Sequence, residues 1–280
     1  LMEHINIIHP SAVLAPYVKH YWLLESDDIT NSQRIIPTGN IELIFFRGSS
    51  IKQGDEIIPV TSLSGQCLSF ADWIPTGKID MISVVFHPFG ARAFFDMPAY
   101  ELHGLIVSAD DLNIPSLKEL EDRIFNASDD SLCIQLIESF LISQLKPFKE
   151  YNYKRMAAAI NAINLSGREL FVSHLAETIA LSEKQFQRIF CEHVGMTPKE
   201  FMRIMRFHKA LCALQKKPTK NFMSLACECG YYDQAHMANE FKFILGYTPT
   251  QYVEICTQYR LLLDLSPFFP SLPDFNACNK

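Results

Sequence analysis

The chain has 280 residues, 48 % hydrophobic and 20 % charged, a balance typical of globular domains that excludes collagen-like, mucin-like and long coiled-coil classes. At about 100–200 residues per domain, this length accommodates two. The net charge of −6 conceals two unlike halves: residues 1–150 carry 10 Lys and Arg against 20 Asp and Glu, whereas residues 151–280 carry 15 against 11. Only the second half suits a polyanionic partner.

No apolar run reaches the ~18–20 residues of a membrane span, and Leu1-Met2-Glu3-His4 supplies neither a basic nor an apolar leader. Neither a membrane partner nor a secretory signal is expected. The eight cysteines are scattered without a Cys-x-x-Cys spacing, which fits reduced thiols of a cytoplasmic protein. Cys227 and Cys229, on one helix, point to different faces and do not make a metal site.

Along the first half, Ile41 to Phe46 and Ile79 to Phe86 are short β-rich runs, and Gly and Pro punctuate the segments between them. Such spacing suggests a small barrel or sandwich. From Pro115 the pattern turns helical: after Asp129-Asp130, the residues Leu132, Leu136, Ile137, Phe140, Leu141 and Leu145 recur at steps of three and four. Pro147 ends that stripe and opens a short linker, after which Met156, Ala159, Ile160 and Ile163 renew the helical period. The expected division is a first domain over 1–146, a linker over 147–153, a second domain over 154–258 and a tail over 259–280.

The second half contains a repeat. Phe190-Cys191-Glu192-His193-Val194-Gly195-Met196-Thr197-Pro198-Lys199-Glu200-Phe201 matches Phe241 to Tyr252 at an offset of 51. In each copy Gly195 or Gly246 ends a helix, Thr197 or Thr248 caps the next, Pro198 or Pro249 occupies its first turn, and Glu200 or Gln251 completes a capping box. Upstream, Val172, Leu175, Ala176 and Ile179 form one helix face, Ala180-Leu181-Ser182 breaks the period, and a second helix buries Phe186, Ile189, Phe190 and Val194. The other copy repeats this with Leu225 and Ala226, a turn at Gly230-Tyr231-Tyr232, and a helix from Asp233 burying Met237, Phe241 and Leu245. A helix from Pro198 to about Leu214 joins the two.

This doubled helix-turn-helix, with Gly195-x-Thr197-Pro198-x-x-Phe201 and Gly246-x-Thr248-Pro249-x-x-Tyr252, resembles the AraC/XylS family of bacterial transcription regulators over about 100 residues. In the first half, Tyr21-Trp22 and Arg34-Ile35-Ile36-Pro37-Thr38-Gly39-Asn40-Ile41-Glu42 resemble the cupin-like sensory domains of some regulators of that family. The implied fold is a two-domain α+β chain, with a small cupin-like β-barrel and helices first and an all-α tandem helix-turn-helix domain second. The implied function is sequence-specific DNA binding under the control of a small-molecule effector, without enzymatic activity or cofactor. Double-stranded DNA, that effector, RNA polymerase and a second copy of the chain, paired through the residue of the Leu136 to Leu145 stripe left over by the barrel, are the implied partners.

With the apolar residues inward, Lys184, Gln187 and Arg188 face outward on the first recognition helix, with Ser182 at its cap. Arg can grip a guanine edge, Gln suits adenine, and Lys suits guanine or phosphate. On the second helix Gln234, His236, Asn239 and Lys242 are the counterparts, in a stripe diluted by Ala235 and Ala238, so specificity should lean on the first unit. Trp22, Arg34, Glu42, Trp73 and His87 are the candidate effector residues, against a plainer reading of core aromatics and a buried Arg34–Glu42 pair. Two rivals are a regulator controlled by protein contacts alone and a cupin-type metal enzyme fused to a DNA-binding domain. The second is disfavoured because the nine histidines are dispersed, His87 and His103 being the nearest pair, and no metal site is expected.

Overall fold

A computed structural model describes residues 3–27, 32–146, 150–165, 170–216, 219 and 221–258. The tail at 259–280 and residues 147–149 of the expected linker lie outside the described residues.

Six strands form one antiparallel sheet in the order β1 (Glu3–Ile8), β2 (Val18–Ser26), β9 (Ile79–Phe86), β4 (Glu42–Phe46), β7 (Thr61–Ser64) and β10 (Ile106–Ser108). A second antiparallel sheet runs β3 (Gln33–Ile35), β8 (Ala71–Pro75), β5 (Ile51–Gln53) and β6 (Glu56–Ile57). Both sheets are open, which corrects the expected barrel. The reason lies in the alternation of side chains along the central strands. Trp22, Leu24, Ile44, Phe46 and Met81 pack with Ile51 and Trp73 of the smaller sheet. Tyr21, Leu23, Leu43, Phe45, Ile82 and Val84 pack the other way, against helices α1 (Pro115–Phe125) and α2 (Asp130–Gln144). A sheet covered on both faces has near-continuous apolar strands, and it needs no closure to complete its core.

Helix α2 starts at Asp129, whose carboxylate accepts from the amide of Leu132 at 2.9 Å. Leu136, Ile137, Phe140 and Leu141 are buried in the sheet's core and Leu145 packs against it. The stripe expected to serve partly for pairing with a second copy is therefore used up within the chain. The outward apolar residues of α2 are Leu132 and Ile142.

The second half is helical: α3 (Glu150–Leu165), α4 (Val172–Thr178), α5 (Glu183–Val194), α6 (Pro198–Lys216), α7 (Phe222–Glu228), α8 (Gln234–Leu245) and α9 (Pro249–Gln258). Residues 150–153 of the expected linker are thus already helix. Along α6, Phe201, Ile204 and Met205 join the core of the first unit, while Phe207, Ala210, Leu211 and Leu214 join that of the second. One helix is shared, so the two units are set against each other by side-chain packing. The capping boxes form as read: Glu200 accepts from the Thr197 amide at 2.8 Å and Gln251 from the Thr248 amide at 2.9 Å.

The two turns differ by a residue. Helices α4 and α7 stand 50 positions apart, whereas α5 and α8 stand 51 apart, because Gly230-Tyr231-Tyr232 does the work of Ala180-Leu181. In both, the amide two residues past the helix C-cap closes back on the helix, Leu181 on the Ala176 carbonyl and Tyr231 on the Ala226 carbonyl, each at 2.9 Å.

The halves also touch. Phe89 enters the core of the first helical unit and Ile36 that of the second. His208 of α6 donates from Nε2 to the Pro37 carbonyl at 2.6 Å, and the Tyr153 hydroxyl of α3 donates to the Pro16 carbonyl at 2.8 Å.

Candidate nucleic-acid interface

Helix α5 begins at Ser182, whose hydroxyl accepts from the Gln185 amide at 3.3 Å while the Gln185 side chain accepts from the Ser182 amide at 3.3 Å. With that start fixed and Phe186, Phe190 and Val194 buried, Ser182, Lys184, Gln187 and Arg188 all stand exposed, near the N-terminal end of the helix. The Gln187 amide lies along the helix, donating to Glu183 at 3.1 Å. These donors project from a capped α-helix, about 10–12 Å across with its side chains, which a major groove about 12 Å wide admits.

Helix α8 is capped by Asp233, which accepts from the His236 amide at 2.7 Å, and exposes Gln234, Asn239 and Lys242. His236 behaves differently. Its ring packs edge-on to Tyr231 with centroids 5.5 Å apart, and its Nε2 lies 3.4 Å from Glu240. Glu240 is the residue that sequence reasoning missed. It is 5 % exposed and receives Arg203 Nε at 3.1 Å and Arg206 Nη2 at 2.7 Å, both from α6. This carboxylate fixes α8 to α6. A glutamate three places after the buried Met237, within a run otherwise apolar on its inner side, was the available signal, but its partners lie more than thirty positions away.

Residues 175–255 match a family described as a helix-turn-helix domain, and residues 6–108 match one described as a domain of unknown function, DUF6597. An uncharacterized HTH-type transcriptional regulator of Haemophilus influenzae is 27 % identical over 157 residues, covering 56 % of this chain and 52 % of the relative. The uncharacterized HTH-type transcriptional regulator YidL of Escherichia coli is 31 % identical over 88 residues, covering 31 % and 29 %. The chain thus spans about half the length, or less, of these curated relatives. The crystal structure of ToxT from Vibrio cholerae overlays with a TM-score of 0.45 at 8 % identity, covering 91 % of this chain and 98 % of that one. The second half of the chain carries a helix-turn-helix domain.

The five effector candidates do not converge. Trp22 and Trp73 are buried between the sheets, Trp73 edge-on to Phe46 and donating to Gln53 at 3.0 Å. Glu42 accepts from the Ser83 hydroxyl at 2.7 Å, and burial pushes its carboxyl up. The expected Arg34–Glu42 pair is absent. Arg34 stands opposite Asp72 in the register of β3 and β8 and grips it twice, at 2.8 and 2.9 Å, whereas Glu42 belongs to the other sheet.

His87 alone lines the cleft of about 820 Å3 between the two halves, together with His9, Lys19, His20 and, from α3, Asn161 and Asn164. Among the described lining residues none is acidic. Burial, with the nearby charges of Lys19, His9 and His87, brings the His20 imidazole down to about 4, and its Nε2 is buried without a hydrogen-bond partner among the described residues. His103, the other half of the nearest histidine pair, instead bonds the Gly195 carbonyl at 3.0 Å. Among the described residues no three of His, Cys, Asp and Glu are grouped to hold a metal ion, and no helix is long and apolar enough to cross a membrane.

Proposed function

We propose that this chain is an AraC/XylS-type, sequence-specific DNA-binding transcription regulator that enters two successive major-groove segments with α5 and α8. The observation that carries this reading is the pairing of two capped helices on one shared helix, with Lys184, Gln187 and Arg188 exposed on the first and Gln234, Asn239 and Lys242 on the second. Phosphate and base contacts from this face suit the basic half of the chain, and the acidic half remains outside the interface. The helix-turn-helix match and the regulators among the relatives support it.

Control by a small molecule is the second element. A cleft that spans both halves, rich in imidazole, amide and ammonium groups and free of carboxylates in its described lining, suits an organic anion with an apolar body, which would bind both halves at once. The division into a sensory and a DNA-binding domain, RNA polymerase as a partner and pairing of two chains belong to the same reading; pairing would use a surface other than the buried stripe of α2.

The test is selection of duplexes from a random or genomic pool by the full chain, followed by titration of the enriched sequence against a scrambled duplex. Enrichment of one sequence, with log affinity falling linearly in log salt, is expected. Recovery of no sequence above the starting pool overturns the proposal.

A further inference from the structure

Gly195 and Gly246 occupy the same place in the two repeats, 51 positions apart, and each ends a recognition helix with left-handed backbone, at φ +92° and +88°. That conformation alone favours glycine. The structure adds a second constraint at each site, a backbone oxygen at the first and side-chain tips at the second. A β-carbon at Gly195 would fall 2.8 Å from the Ala99 carbonyl oxygen, and one at Gly246 would collide with Arg34 Nη1 and lie 2.9 Å from the Phe70 ring. Ala99, Arg34 and Phe70 all belong to the β half. The duplicated helix ends are both landing points for it.

The contacts at the two points are specific. At α8, Arg34 Nη1 donates to the carbonyl of Leu245 at 3.1 Å, placing a cation at the negative end of the helix dipole. Its guanidinium is packed between the rings of Phe70, 4.1 Å from the centroid, and Tyr247, 4.7 Å away, while Asp72 holds it from behind with two bonds. At α5, His103 donates to the Gly195 carbonyl at 3.0 Å. Between the two, the loop at Pro37–Gly39 reaches α6 through His208, and Gln66 donates to the Gly39 carbonyl at 2.7 Å, linking the loop to the segment that covers Gly195.

We infer that the β half is a brace seated on the paired C-caps of the recognition helices, and that Arg34 is a positioning residue which sets α8 relative to α5 for DNA. The docked arrangement leaves Lys184, Gln187, Arg188, Gln234, Asn239 and Lys242 exposed, so seating and reading are compatible. Two helices joined to one rigid body at their far ends lose less freedom when DNA orders them, and DNA in turn tightens the seat by the same factor. This inference rests on the DNA-binding reading for its consequence but not for the brace itself.

The test uses the full chain and the variants Arg34→Ala, Gly246→Asn and their combination, because Asn tolerates the left-handed cap but carries the β-carbon that meets Arg34. Small-angle scattering without DNA reads the brace: each variant is expected to enlarge the radius of gyration, and dimensions unchanged from the parent in all of them overturn it. Titration of the selected duplex reads the consequence. Each single variant is expected to bind roughly fivefold to tenfold more weakly, with scrambled duplex unaffected, and the double variant to be no weaker than the poorer single one. Strictly multiplying losses would show that Gly246 acts only as a cap, and binding as tight as the parent or tighter by Arg34→Ala would show that seating does not favour DNA; either result overturns the positioning role. If Gly246→Asn melts early, Gly195→Asn, whose β-carbon meets the Ala99 carbonyl, takes its place for the brace, and Arg34→Ala alone reads the positioning role. Variants larger than a parent that itself selects no DNA would sink the DNA-binding reading and leave the brace standing.

Discussion

Glu240 of α8 sits 2.7 Å from Arg206 of α6, with 6 % of its side chain exposed, and the same oxygen receives Arg203 at 3.1 Å. Two guanidiniums share one buried carboxylate, so deleting the charge leaves both facing a neutral group. Glu240→Gln is expected to destabilise the protein by about 2–4 kcal/mol, below the ~3–5 kcal/mol of a fully buried pair because Arg203 and Arg206 keep part of their hydration. Urea denaturation measures it, and a loss below about 1 kcal/mol contradicts the bridging role.

Arg188→Ala should cost more discrimination than Asn239→Ala. The first removes a long two-pronged donor from an exposed stripe, the second a short amide from a stripe diluted by Ala235 and Ala238. A good bidentate base contact is worth about 1–3 kcal/mol, and the loss should be confined to the selected duplex. Competition titrations of both variants settle the order, and a larger loss from Asn239→Ala reverses the assignment.

Acid should weaken the fold well before the carboxylates titrate. His208 is fully buried, with Nε2 on the Pro37 carbonyl and Nδ1 unpartnered among the described residues, and burial lowers it to about 4; His20 is lowered to about 4 likewise. Below an ordinary imidazole value of 6.5 the unfolded chain takes up protons that the folded one refuses. Stability is therefore complete above that pH and is lost as pH falls towards 4, by on the order of 3 kcal/mol per histidine. Denaturation midpoints at pH 7.5, 6 and 5 follow this loss, and His208→Gln, which keeps a donor for Pro37, should flatten the slope. A midpoint constant down to pH 5 refutes it.

Ala180 carries φ +54° in the turn where the second unit has Gly230 at φ +80°. A left-handed alanine is strained, so Ala180→Gly is expected to stabilise the protein by about 0.5–1 kcal/mol, the strain relieved exceeding the extra flexibility of the unfolded glycine. The thermal midpoint reads this directly, and a lower midpoint refutes it.

The helices were legible because their signals are local. Ser182 with Gln185, Thr197 with Glu200 and Thr248 with Gln251 declare starts within four residues, and Gly195 and Gly246 declare ends. What escaped was set by partners distant in the chain. Arg34 chooses Asp72 over Glu42 by strand register, and an open sheet differs from a barrel only in which edges meet. Glu240 reads as an ordinary helical glutamate until Arg203 and Arg206 are brought to it. The extra residue in the second turn was hidden because the matched segments flank it on one side only.

The six-stranded sheet has a consequence for the order of assembly. Its centre pairs Tyr21 with Val84, and its far edge pairs Leu63 with Val107, so it cannot be completed until Ser108 has been made. Such distant pairings form slowly, whereas the helices made afterwards contact near neighbours. On the ribosome, at about 5–20 residues per second, the sheet gains roughly 7–28 seconds before Gly246 is made, so a finished platform receives the helix ends. Refolding from denaturant inverts that sequence: the helices assemble first, while strands with two apolar faces are still searching for partners, and it is then that aggregation should compete.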